Sequence, residues 1–178
     1  MRFVPVTELE EPSAGRDEPP EPKGEPTFEV IKRRAPQTMV QDLGRVGYQR
    51  YGVPVAGAVD TPALRAANLL VGNTAAAAAL ECTIAGPVIL RALRTTAVSI
   101  TGADLGAVLD SEGEPRRPVS PWSSTLVRRG DVLRFTHRKE GARTYLAVAG
   151  GLDVPRVLGS RATYLTSALG GFQGRSLP

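Results

Sequence analysis

The chain has 178 residues, 42% of them hydrophobic and 22% charged, with a formal net charge of +4, a size and composition that suit one soluble domain, or two small ones, around a real core. No apolar run approaches the ~20 residues of a bilayer-crossing helix, and no apolar signal segment follows Arg2. One cysteine and one histidine supply neither an internal disulfide nor a Cys/His metal set of the usual spacing, so no metal site and a cytoplasmic residence are expected.

Residues 1–26 carry seven acids (Glu8, Glu10, Glu11, Asp17, Glu18, Glu21, Glu25) against three bases (Arg2, Arg16, Lys23), and six of the fifteen prolines. Such a segment cannot bury enough apolar surface to offset the entropy of ordering, and it is predicted to be a disordered acidic, Pro-rich extension. Residues 27–178 then carry 19 bases against 11 acids, so the body is far more basic than the whole chain.

A first strand is predicted over 28–32, where β-formers collect. From Gln41 to Asp60 the chain carries Gly44, Gly47, Gly52, Gly57 and Pro54, which break helical and strand periodicity alike. A long ordered loop is expected there, and a loop that long in a compact body is usually functional. A helix follows: Asp60 or Thr61 caps it and Pro62 sits in its first turn. Leu64, Ala67, Leu70 and Val71 form its apolar face, and Gly72-Asn73 ends it. Short β-type runs come next over 80–84, 88–92, 97–101, 106–109, 124–127, 132–136 and 144–148, punctuated by Gly and Pro. With the first strand they predict a mainly β, closed or nearly closed antiparallel architecture. After Gly150-Gly151 the pattern weakens into a second glycine-rich region (Gly159, Gly170, Gly171, Gly174). The chain stops at Pro178 with no terminal strand or helix, which reads as an incomplete product.

Several chemistries have no support. The three lysines (Lys23, Lys32, Lys139) have no P-loop context, and Gly102-Ala103-Asp104-Leu105-Gly106 lacks the third glycine of a dinucleotide fingerprint. No orienting acid can be assigned to His137, which reads as a surface strand residue, and Cys82 reads as inert core. The basic residues are scattered over turns with few aromatics between them, so nucleic-acid binding is not expected. The stronger signal pairs glycine with charge. Asp42, Arg45, Tyr48 and Arg50 lie on one glycine-rich loop, where forked guanidiniums suit a small polar anion, an amide or an acyl-phosphate-like species. The other reading of the same residues is that Asp42 and Arg45 cap turns and pair with each other. Thr101-Gly102-Ala103-Asp104 and Gly159-Ser160-Arg161 repeat the theme. Asn68 and Glu81 are polar residues in apolar contexts and are expected to tie backbone in the glycine loops.

These residues together resemble a known family. Gln41-Asp42-Leu43-Gly44-Arg45-Val46-Gly47-Tyr48, Gly52-Val53-Pro54, Gly57-Ala58-Val59-Asp60, Ala67-Asn68-Leu69-Leu70-Val71-Gly72-Asn73, Leu80-Glu81, Thr101-Gly102-Ala103-Asp104, Tyr145 to Gly151 and Gly159-Ser160-Arg161 look like the biotin-dependent carboxyltransferase family. That family includes the 5-oxoprolinase C component, the KipA-type antagonist of a kinase inhibitor, the protein once called the second allophanate hydrolase component, and part of urea carboxylase. The resemblance implies a cyclophilin-like β-barrel with one short helix. Residues 27–178 would be a C-terminally incomplete subdomain A and B unit, truncated within or before a second barrel.

For activity, the resemblance implies a component of an ATP-dependent amidohydrolase, the C component of a 5-oxoprolinase. Such a component is inactive alone and opens 5-oxo-L-proline to L-glutamate together with the A and B components, where ATP and Mg would be bound. The alternatives it carries are carboxyl transfer from carboxybiotin, borne on another protein, to urea or a similar amide, and a non-catalytic regulator that binds a kinase-inhibitor protein. On any of them no membrane is involved and the small-molecule partner is an amide or lactam. The implied catalytic residues are Asp42, Arg45 and Asp104, the implied substrate-binding residues Tyr48, Arg50, Gly102, Ser160 and Arg161, and the structural ones Asn68 and Glu81. Two departures remove hydroxyls: the family's usual Ser-Gly-Ala-Met-Asp is Ala56-Gly57-Ala58-Val59-Asp60 here, and its Gly-Ser-Arg-Ser is Gly159-Ser160-Arg161-Ala162.

Overall fold

A computed structural model describes residues 25–32, 38–84 and 88–177. Apart from Glu25 and Pro26, the predicted N-terminal extension lies outside the described residues. In chain order the elements are β1 (Phe28–Lys32), β2 (Thr38–Gln41), α1 (Thr61–Leu70), β3 (Ala79–Thr83), β4 (Ile89–Ala92), β5 (Thr96–Asp104), β6 (Ala107–Asp110), β7 (Arg117–Pro118), β8 (Ser123–Val127), β9 (Val132–Phe135) and β10 (Glu140–Val148). Every predicted strand is present. Two more, β2 and the two-residue β7, went unpredicted.

The strands form two five-stranded antiparallel sheets, β1-β4-β9-β6-β7 and β2-β3-β10-β5-β8. The architecture is mainly β as expected, but the hydrogen-bonded ladders stay open, and the sheets are joined by a common core instead. That core takes Leu90, Ala92, Leu109 and Leu133 from the first sheet and Val40, Leu80, Val98, Ile100, Val127, Leu146 and Val148 from the second. No described helix is long and apolar enough to cross a membrane.

From Thr144 to Val148, β10 has both faces buried. With side chains alternating at period two, Leu146 and Val148 enter the shared core, while Tyr145 and Ala147 meet Ala63, Leu64 and Ala67 of α1 on the opposite side of the second sheet. This is why Tyr145 to Val148 form a continuous apolar run. The helix starts as predicted: the Asp60 carboxylate accepts from the Ala63 N–H at 3.0 Å and Pro62 lies in the first turn. Its buried face keeps the predicted Leu64, Ala67 and Val71 but not Leu70. Asn68 is fully buried, whereas Leu69 and Leu70 remain exposed. The Asn68 amide donates to Leu64 O (3.2 Å) and Ala77 O (2.7 Å) and its carbonyl accepts from Asn73 Nδ2 (3.2 Å), so burying it leaves no polar group unpaired. Ser99 and Thr101 of β5 donate their hydroxyls to Ala67 O (2.6 Å) and Ala63 O (2.7 Å), clamping the helix to the sheet.

Candidate functional site

Two polar networks and one groove bear on function. The first network begins where β2 ends. The Asp42 carboxylate accepts from the Gly44 N–H (2.7 Å) and the Ser160 hydroxyl (2.7 Å) through one oxygen and from the Arg161 N–H (2.6 Å) through the other. Ser160 Oγ in turn accepts from the Ala162 N–H at 2.9 Å. Arg45 is 1% exposed, and its guanidinium donates to the carbonyls of Ala162 and, at 3.5 Å, of Val157. Arg161 Nε donates to Val154 O at 2.8 Å. The whole assembly fastens the glycine-rich region after residue 150 to the loop after β2. Thr163 N–H completes it by donating to Val40 O at 2.9 Å on the open edge of the second sheet. Gly44 and Gly57 make this loop possible: both have φ near +90°, and a Cβ on Gly57 would sit 2.7 Å from Gly44 N.

Four residues expected on a ligand surface, Asp42, Arg45, Ser160 and Arg161, are therefore brought together. Three of them are buried and Arg161 is half-buried; their hydrogen bonds run to protein backbone and, between Ser160 and Asp42, to each other, while Arg45 Nη1 has no partner among the described residues. Asp42 and Arg45 make no hydrogen bond to each other among the described residues, so the turn-capping alternative holds for Asp42 without the ion pair. Tyr48 is half-buried. Arg50 is exposed and stacks its guanidinium 4.6 Å from the Tyr51 ring centroid.

Asp104 and Gly102 belong elsewhere, to a groove of about 680 Å³ between the end of β5 and the start of β10. Its walls include Val59, Asp60, Trp122, Glu140 and Arg143. The two strands run on past the sheet as a ribbon whose register shifts between Glu140 and Thr144. Glycine is needed there: a Cβ on Gly102 (φ +80°) would lie 2.6 Å from Arg143 O, and one on Gly141 would lie 2.8 Å from Ala103 Cβ. Trp122 is 53% exposed and holds a left-handed backbone (φ +58°), an uncommon state for a bulky residue, with its N–H donating to Ile100 O at 2.7 Å. Asp104 accepts from the Gly106 N–H (2.8 Å) and the Lys139 ammonium (3.1 Å), and these hold its carboxyl below the ordinary range.

Beneath the groove lies the second network, centred on Glu81 of β3, which is 1% exposed. One carboxylate oxygen accepts from Arg143 Nη1 at 2.9 Å; the other accepts from the Tyr145 hydroxyl at 2.7 Å and the Val59 N–H at 3.0 Å. The Tyr145 oxygen itself accepts from the Asp60 N–H at 2.8 Å. Burial first, and then the Glu81 carboxylate, push the phenol well above its ordinary range, so it stays a proton donor rather than becoming a base. Glu81 thus performs the backbone-tying role expected of it and also orients Arg143. The Arg143 side chain is 36% exposed. Its Nη1 is committed to Glu81 and Thr83, while Nε and Nη2 make no hydrogen bond among the described residues. Arg143 is among the residues that line the groove.

Sequence reasoning missed Arg143, Tyr145 and Trp122. A phenol in an otherwise aliphatic strand and the chain's sole tryptophan after Pro121 were legible signals. Arg143 had none, because its meaning comes from a partner 62 positions away. His137 is exposed but lies beyond β9 rather than in it, and Cys82 is fully buried in the core, its thiol pushed up to about 12 mainly by burial.

Comparison with known proteins places this geometry. The family model described as carboxyltransferase domain, subdomain A and B, matches residues 51–178. Urea amidolyase of Lachancea kluyveri is 42% identical over 151 residues, covering 84% of this chain and 8% of that protein. The 5-oxoprolinase C component of Escherichia coli is 42% identical over 149 residues, covering 83% of this chain and 46% of that protein. The crystal structure of the K. lactis urea amidolyase superposes with a TM-score of 0.77 at 37% identity, over 85% of this chain and 9% of that one. The chain thus spans less than half the length of these relatives. With a family model over most of its residues and the same fold in a solved relative, the chain belongs to the carboxyltransferase domain family, subdomain A and B.

Proposed function

We propose that this chain is the C component of an ATP-dependent 5-oxoprolinase, working with A-type and B-type components in the cytoplasm to open 5-oxo-L-proline to L-glutamate. The observation that carries this reading is the 42% identity to a 5-oxoprolinase C component across 83% of the chain. The groove lends chemical sense to it. A lactam is unreactive until charge on its carbonyl oxygen can be stabilised, and a fixed donor edge such as that of Arg143 acts without reorganising. ATP with magnesium would supply activation of the amide oxygen. In this reading nucleotide and magnesium are bound by the partner proteins. This chain's part is to orient the amide and to hold its oxygen. Reconstitution with the A and B components tests the reading: glutamate release should require ATP, 5-oxo-L-proline and this chain together. Equal release without this chain would sink it.

A second reading has its own observation, the equal identity to urea amidolyase. In it the chain helps transfer a carboxyl group from carboxybiotin, borne on a separate carrier, to urea or a similar amide. Urea-dependent ATP cleavage in the presence of bicarbonate, a biotin carboxylase and a biotinylated carrier would separate this activity from the first.

A further inference from the structure

The chain carries a charge imbalance that neither the networks nor the groove absorbs. Residues 1–24 hold six acids, Glu8, Glu10, Glu11, Asp17, Glu18 and Glu21, against three bases, whereas the body is strongly basic. The described chain starts at Glu25 and at once meets an arginine-bearing end of the two sheets. Leu93 N–H donates to Thr27 O at 2.9 Å, Gly130 N–H to Ala92 O at 2.8 Å and Arg129 N–H to Thr95 Oγ1 at 3.3 Å. The turn between β4 and β5 and the turn between β8 and β9 are therefore joined beside the start of β1. They expose Arg94, Arg128 and Arg129. Arg128 pairs with Glu114 at 3.6 Å, but Arg94 and Arg129 have no carboxylate partner among the described residues.

We propose that the acidic segment 8–21 docks in cis on these two turns, with its carboxylates on Arg94 and Arg129, and so covers this end of the body against other polyanions. Reach favours the contact. Through the Thr27–Leu93 bond, Glu25 and Arg94 are a few residue steps apart, on the order of 10 Å, and the stretch from Glu18 to Glu25 spans at most roughly 25 Å. One exposed ion pair contributes little, but a tether this short holds the carboxylates at an effective concentration in roughly the millimolar range, so several weak pairs act together. The inference is independent of the proposed function, since it involves neither the groove nor an amide.

The test uses the full chain. Arg94→Lys and Arg129→Lys keep the charges and supply primary amines, which a carbodiimide joins only to carboxylates in direct contact. Arg65→Lys, exposed on α1 across the second sheet, is the comparator. Peptide mapping should show links from positions 94 and 129 to residues 8–21 at least about tenfold more abundant than from position 65. They should vanish between about 10 mM and about 1 M salt, as the screening length falls from about 30 Å to about 3 Å. In a mixture of isotopically labelled and unlabelled chains the links should join residues of one chain. Equal linking at all three positions, links that persist at high salt, or links between chains in proportion to the mixture would each overturn the proposal. Anisotropy of a labelled double-stranded oligonucleotide gives a second readout. Replacing the six acids by Gln or Asn should tighten its binding at low salt at least about tenfold, and adding Arg94→Gln and Arg129→Gln should remove most of that gain. No tightening, or a gain that survives loss of both arginines, would also overturn it.

Discussion

Glu81→Gln probes the network beneath the groove most directly. The two carboxylate oxygens of Glu81 accept three hydrogen bonds from Arg143, Tyr145 and Val59, and the residue is 1% exposed. Glutamine has the same shape but one oxygen. With that oxygen on the Tyr145 and Val59 donors, its amide NH₂ faces Arg143 Nη1, donor against donor. The lost charge-assisted bond is worth about 1.5–3 kcal/mol, and the partly exposed guanidinium recovers some of this from water, so a net loss of about 2 kcal/mol is expected. Tyr145→Phe removes the acceptor for the Asp60 N–H and one donor to Glu81, for about 1–2 kcal/mol. Because both changes strike one network, the double variant should lose less than the sum by at least ~0.5 kcal/mol. Urea unfolding followed by Trp122 emission and by circular dichroism gives all four corners of the cycle. A Glu81→Gln variant within ~0.5 kcal/mol of the parent, or strict additivity with Tyr145→Phe, would refute the network as described.

Asp42→Ala should free the Arg161 N–H and Ser160 hydroxyl from their acceptor, costing about 2–4 kcal/mol, with hydrogen exchange at residues 160–162 accelerating before the core does; uniform exchange would contradict it. Gly170→Ala would place a Cβ against Ala162 O and 2.7 Å from Arg45 Nη2 at φ +67°, whereas Gly150→Ala meets nothing within 4 Å. The first should therefore be poorly folded and the second lose only about 1–2 kcal/mol for its left-handed backbone, as melting curves would tell. Cys82, raised from 9.0 to about 12, should resist thiol reagents at pH 8 until the protein is denatured. Since its folded value lies above the unfolded one, the associated stability is full below pH 9.0 and is lost as pH rises towards 12, an alkaline decline that Cys82→Ala should flatten.

Local chemistry explains what could be read in advance. Runs such as Ala97 to Thr101 and Val132 to Phe135 have β-formers bounded by turn residues, and they are strands whatever surrounds them. β2 was hidden because Thr38-Met39-Val40-Gln41 mixes polar and apolar residues, and its place is set by pairing with β3 on one side and receiving the Thr163 and Leu177 N–H groups on the other. β7 is two residues long and contains Pro118, which no strand pattern marks. The helix cap is a matter of neighbours in sequence, so Asp60 and Pro62 were legible. The buried face turned on Asn68 finding partners at Ala77 and Asn73, beyond the helix end.

The residues of the two networks divide in the same way. From the sequence alone came a mainly β body with one capped helix, glycine-and-charge clusters at Asp42–Arg50, Gly102–Asp104 and Gly159–Arg161, and the resemblance to the carboxyltransferase family, because turn glycines, caps and motif spacing act over a few residues. Which of those charges face a ligand was decided by the tertiary structure. A hydrogen bond between Asp42 and Ser160 spans 118 positions and one between Glu81 and Arg143 spans 62, and no local pattern encodes either. Burial turned Arg45 inward onto carbonyls, while sheet register carried Arg143, unmarked in the sequence, to the wall of the groove that Trp122 also lines.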